Sequence, residues 1–219
     1  FTENLRGKVG ATEVLDIAKQ NLSDIQQAKQ AEYRSGMVNI RNDKTVLDFT
    51  GIDNAVSNAM NKVMYKGQVK NEVAASQLGK AQTYIEEWKA LDPAEYHTPE
   101  GLDALKQKVG DVLEGIPFEA KTARTAVGEV YNAIKSEITK QAPTYAKVMK
   151  QYTDQSDLIR EIERALSLGQ KASADTAIRK LQSLMRNNVN TNYGERLRLA
   201  RQLEQQGGRQ LMPALAGQA

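Results

Sequence analysis

Few residues in this sequence could carry chemistry. Its one histidine, His97, stands between Tyr96 and Thr98, with Asp92 and Glu95 a few positions upstream. An imidazole beside a carboxylate acts as a general acid or base when a substrate proton lies within reach. No second histidine or activated nucleophile accompanies it, so His97 reads as a helix-entry residue in a polar loop. Paired acids occur at Glu86–Glu87, Asp92/Glu95 and Asp111/Glu114. A glycosidase needs two carboxylates facing each other across a cleft. Adjacent acids on a helix point about 100° apart, and no apolar surroundings suggest a raised pKa, so these acids read as solvated helix faces.

The absence of cysteine excludes disulfides, thiolate metal sites and cysteine nucleophiles. A lone histidine leaves no His-based zinc constellation. The fifteen glycines are scattered at helix ends and form no phosphate-cradling loop. No acid run has calcium-ligand spacing. No catalytic, cofactor-binding or metal-binding residue is therefore assigned, and no cofactor or small-molecule substrate is expected.

Basic side chains are the remaining candidates. From Lys171 onward there are eight basic residues against Asp175, Glu195 and Glu204, a net +5 where the whole chain carries +3. Arg179, Lys180, Arg186, Arg196, Arg198 and Arg201 are candidate contacts for DNA or another polyanion, or for an anionic membrane. Two features weigh towards ordinary surface. Arg198 and Arg201 share a helix face that Arg196 does not, and Tyr193 is the one aromatic among them, short of a stacking platform.

The elements that must position these residues are helical. Ala, Leu, Gln, Lys and Glu abound, and aromatics make up 5% of the chain. The strongest pattern is Pro143–Leu168. Tyr145, Tyr152, Ile159 and Leu166 recur every seven residues, with Val148, Gln155 and Ile162 three positions on. That a/d seam must lie on partner helices; Gln155 is its one polar member and could fix register. Two further striped helices precede it. One begins at Thr98–Pro99–Glu100, an N-cap followed by proline at the first helical position. The other runs from Glu119 to Gln141 and is expected to pair with the seam helix as an antiparallel hairpin.

Elsewhere, a helix over about Thr12–Tyr33 is expected to end at Gly36. The segment 37–50 has strand-like pieces and could form a minor β-hairpin. Helices follow over about 50–65 and 69–91, the second burying Ala81, Ile85 and Trp88, and two more lie beyond Gly169. The expected fold is an all-α elongated bundle of about seven or eight helices with antiparallel hairpins. Three segments are read: 1–92, a heptad-striped core over 93–170, and a basic region over 171–219. No run of eighteen apolar residues or signal-peptide pattern occurs, and a start at Phe1 reads as a piece of a longer protein.

Three strings carry a resemblance. Leu91-Asp92-Pro93-Ala94-Glu95-Tyr96-His97-Thr98-Pro99-Glu100-Gly101-Leu102, Ile138-Thr139-Lys140-Gln141-Ala142-Pro143-Thr144-Tyr145-Ala146 and Arg186-Asn187-Asn188-Val189-Asn190-Thr191-Asn192-Tyr193-Gly194 are similar to segments of tailed-bacteriophage virion structural proteins. The resemblance is best over 91–219. It implies a virion component of the internal, ejected or tail-associated kind, and brings no catalytic residues. It also implies a glycine- and alanine-rich apolar continuation. The expected partners are copies of itself or other virion proteins. The expected location is the virion, with the host cytoplasm during assembly and the host envelope after ejection. Two alternatives stand beside a structural role: a nucleic-acid- or membrane-contacting module in genome delivery, and a cell-wall-degrading hydrolase.

Overall fold

The computed structural model describes residues 10–185 and 192–217. Among them the chain is all-α with one small hairpin. The helices are α1 (Ala11–Asn42), α2 (Thr50–Val63), α3 (Glu72–Lys89), α4 (Pro93–Tyr96), α5 (Pro99–Glu114), α6 (Lys121–Gln141), α7 (Pro143–Leu166), α8 (Ala174–Ser183), α9 (Tyr193–Gly207) and α10 (Met212–Ala216). The count exceeds the seven or eight expected because α4 and α10 are single turns, each started by a proline that fits the first turn. None of the described helices is long and apolar enough to cross a membrane.

The N-cap read at Thr98 forms, whereas α2 opens at Thr50 without a side-chain cap. The Thr98 hydroxyl accepts from Gly101 N at 3.2 Å to open α5, and Ser173 accepts from Thr176 N at 3.3 Å to open α8. Gly36 does not end α1, which runs on to Asn42. Tyr33, Gly36 and Ile40 lie at helical spacing, and Gly36 and Ile40 are buried, so the apolar stripe carries the helix through the glycine.

The hairpin therefore does not form at 37–50. It joins β1 (Met64–Tyr65) to β2 (Gln68–Val69), antiparallel, with Met64 opposite Val69 and Tyr65 opposite Gln68. Lys66 and Gly67, with φ of 48° and 80°, supply the two left-handed positions of a tight two-residue turn. In the 43–49 segment, backbone groups find other partners. Thr45 N donates to the Asp43 carboxylate, Leu47 N to the His97 carbonyl, and Asp48 exchanges two hydrogen bonds with the Gln141 amide.

The chain folds as two compact units whose limits differ from the three segments read from the sequence. One unit is Ser35–Met149; the other takes both ends of the chain, up to Arg34 and from Lys150. In the Ser35–Met149 unit, α6 is central and packs on α2, α3 and α5. Its core includes Ile52, Leu78, Leu102, Leu105, Ile134 and Ile138. In the other unit, Ile159, Ile162 and Leu166 of α7 join Leu15, Leu22 and Ile25 of α1, Leu181 of α8, and Leu199 and Leu203 of α9 in one apolar cluster. The later part of the seam thus packs with α1, α8 and α9, where a hairpin with the preceding helix was expected. A polar clamp holds the end of this unit. The buried Asn21 amide donates to the Arg209 carbonyl at 2.9 Å and accepts from Arg209 N at 3.1 Å.

Candidate functional site

The seam residues divide between the units. Tyr145 and Val148 are buried in the Ser35–Met149 unit, and Ile159, Ile162 and Leu166 in the other. Tyr152 is half-buried, its ring 4.8 Å from that of Tyr33. The Gln155 Oε1 is buried and accepts no hydrogen bond.

A largely buried polar cluster gathers around Tyr145. Asp103 and Lys106, one turn apart on α5, lie on the face that also buries Leu102 and Leu105. The first turn of α7, started by Pro143, brings Tyr145 against them. The Tyr145 hydroxyl donates to Asp103 Oδ1 at 2.7 Å and accepts from Lys106 Nζ at 2.9 Å. Lys106 Nζ also lies 2.8 Å from Asp103 Oδ1, and Gln107 Nε2 donates to Asp103 Oδ2 at 2.9 Å. Tyr145 and Asp103 are buried, at 0% and 3% exposure.

The electrostatics follow from that geometry. Burial pushes the Lys106 ammonium towards the neutral amine, but its hydrogen bonds to Asp103 and Tyr145 outweigh this and hold it protonated well above the usual lysine range. Burial raises the Tyr145 phenol well above its usual range; the Lys106 hydrogen bond pulls it down, and the bond to Asp103 raises it further. A lysine–tyrosine pair serves proton transfer when the hydroxyl faces a substrate. Here the hydroxyl spends its proton on a carboxylate and a lone pair on the ammonium, inside the protein. The arrangement braces α5 against α7. The sequence reading missed it because Asp103 and Tyr145 are 42 positions apart. A charge set between Leu102 and Leu105 in an apolar stripe was the local signal.

His97 is buried, contrary to the polar loop expected for it. Its Nε2 lies 2.9 Å from the Trp88 carbonyl, which assigns the proton to that nitrogen, and its ring meets Phe49 edge-on at 4.8 Å. Asp92 caps α4 through Ala94 N, and among the described residues neither Asp92 nor Glu95 bonds the imidazole. Of the paired acids, Glu86 lies 3.6 Å from Lys89, and Glu87, Asp111 and Glu114 are exposed. Among the described residues no three metal-ligating side chains converge.

Several of the predicted basic residues have partners within the fold. Arg198 binds Glu195 at 2.5 Å, Glu161 at 3.5 Å and Gln202 at 2.8 Å, so its charge is compensated. Arg179 Nε donates to the Asp175 carbonyl and Lys180 Nζ to the Arg164 carbonyl. Arg201 is exposed and Arg196 half-buried. Arg186 lies outside the described residues, as do 1–9 and most of the Asn-rich turn. No protein family, curated protein or solved structure matches the chain.

Proposed function

We propose that the chain is a non-enzymatic structural segment of a tailed-phage virion, acting by assembly with copies of itself or with neighbouring virion proteins. The observation that carries this reading is an apolar end on the Ser35–Met149 unit. α2 runs antiparallel to α6, since Gly51 abuts Glu137 and Lys62 pairs with Glu129 at 2.9 Å. The hairpin after α2 and the turn before α6 therefore share one end of the unit. Tyr65 is 61% exposed there and Phe118 77%, with Val69 and Val73 also exposed. Large apolar side chains grouped at one end mark a contact surface more often than scattered ones do. The resemblance of the 91–219 strings to virion proteins sets the context for that contact.

Light scattering at rising concentration tests the assembly step. The expected mass climbs above the 24.2 kDa of one chain and returns to it in Tyr65→Ser/Phe118→Ser. A single-chain mass throughout, with the protein missing from purified particles by mass spectrometry, would overturn the reading. So would a clearing band in a peptidoglycan zymogram that disappears when one acid is replaced.

A further inference from the structure

The two connections at the apolar end of the Ser35–Met149 unit carry charge in opposite order. The hairpin between α2 and α3 bears Lys66 and Lys70, and Glu72 opens α3. The turn between α5 and α6 is bracketed by Glu114 and Glu119, and Lys121 opens α6. All six side chains are exposed, and none joins an ion pair among the described residues. The charges sit beside the apolar groups. Lys66 Nζ lies 5.4 Å from the centroid of the Tyr65 ring, Lys70 N donates to the Val63 carbonyl at 2.9 Å and so extends the strand pairing, and Glu119 follows Phe118 directly.

Other charges at this end do not change the pattern. Lys62 pairs with Glu129 at 2.9 Å, and Arg124 donates to the Leu113 and Ile116 carbonyls at 3.4 and 2.7 Å, so both cations are engaged inside the unit. The Arg124 bonds also fix the turn that presents Phe118. Asp111, one helical turn before Glu114, is exposed and adds to the negative side. The hairpin half therefore reads plus, plus, minus where the turn half reads minus, minus, plus. Each half also brings apolar surface: Tyr65, Val69 and Val73 on the first, Phe118 on the second. A patch whose halves carry opposite charge patterns is complementary to its own copy turned through half a circle.

We propose that this end pairs with the same end of a second copy of the chain about a two-fold axis, hairpin against turn. Phe118 of each copy then packs on the hairpin of the other, Lys66 and Lys70 meet Glu114 and Glu119, and Glu72 meets Lys121. The apolar side chains supply the affinity. Exposed ion pairs add little to it, but like charges brought together oppose every other register. An anionic bilayer or a polyanion would attract the hairpin half and repel the turn half, so neither matches the whole patch. The inference rests on the assembly reading above and names its partner and its symmetry.

The test is charge reversal followed by mixing, read as mass by light scattering of the 219-residue chain. The parent should level off at two chains of 24.2 kDa. Lys66→Glu/Lys70→Glu sets glutamates against glutamates across the axis, and Glu114→Lys/Glu119→Lys sets lysines against lysines. Each variant alone should pair at least about tenfold more weakly than the parent. Mixed in equal amounts they should pair with each other as the parent does, because both charged contacts are opposite again in the mixed dimer. One chain carrying all four reversals should pair like the parent too. A mixture that stays at the single-chain mass, or variants that pair as well as the parent, would overturn the two-fold pairing and leave self-assembly standing. Growth of the parent beyond two chains would do the same. A parent that never exceeds one chain overturns the pairing while assembly with another virion protein survives, to be decided by the mass spectrometry of particles. Co-sedimentation with phosphatidylglycerol vesicles that is lost in Phe118→Ser would assign this end to a membrane instead.

Discussion

At the scale of single residues, Asp103 carries most consequence. Its carboxylate answers the Lys106 ammonium, the Tyr145 hydroxyl and the Gln107 amide. Removing it strands a half-buried positive charge and a buried donor, so Asp103→Ala is expected to cost about 3 kcal/mol, read from urea midpoints. The same cluster sets an alkaline limit on stability. The folded-state pKa values of Lys106 and Tyr145 are both raised. The unfolded chain therefore releases these protons first as pH rises. Stability from them is complete below about pH 10 and is lost as pH climbs beyond it. Thermal melts followed by circular dichroism should show the melting temperature falling above about pH 10, and falling less steeply in Tyr145→Phe. A profile identical in the two proteins would remove Tyr145 from the explanation. The sequence made Tyr145 legible as a seam residue but not as a hydrogen-bond donor, because periodicity reports which face is buried and nothing about what a hydroxyl meets there.

At the scale of elements, α1 shows what a glycine can and cannot be read to do. Gly36 looked like a stop, yet the backbone stays helical and the missing side chain serves packing. A Cβ at this position would stand 2.6 Å from Val148 Cγ1 and 2.9 Å from Cγ2. Alanine would gain up to about 1 kcal/mol of helix propensity. Overpacking against a buried valine costs about 1–3 kcal/mol. The clash wins, so Gly36→Ala should lower stability by about 1–2 kcal/mol in urea denaturation. Adding Val148→Ala should recover part of the Gly36→Ala loss, a coupling visible as non-additivity in the double-mutant cycle. A stabilised Gly36→Ala would mean the helix has room to shift. True stops do occur, with different chemistry: Gly208 ends α9 at φ 80°, its N–H reaching the Glu204 carbonyl. Glycine type was readable; whether each one turns the chain or admits a neighbour depends on a helix more than a hundred positions away.

At the scale of the molecule, the sequence showed striped helices but could not say which stripes would meet, since all offer the same Leu, Ile, Val and Ala chemistry. Proline and glycine breaks suggested cuts near 92 and 170, whereas the units separate within α1 and α7, between Arg34 and Ser35 and between Met149 and Lys150. A contiguous unit and one made from two chain ends carry different folding requirements. Ser35–Met149 needs no closure over a long intervening segment, and its helices form their core from within the same span. The unit of the two ends must close over everything between, at a cost that grows only as about (3/2)RT ln n. The excised Ser35–Met149 chain is therefore expected to be helical and to unfold in one cooperative transition. Asp103→Ala should lower the midpoint in the excised chain by about the amount seen in the full chain, because every partner of that carboxylate lies within the span. Replacing Asn21, whose partner is Arg209, should leave Asp103→Ala as costly as before in the full chain, since the two sites share no partner. A broad, gradual melt of the excised chain, or an Asp103→Ala that costs little there, would show that the middle of the protein relies on its ends to fold.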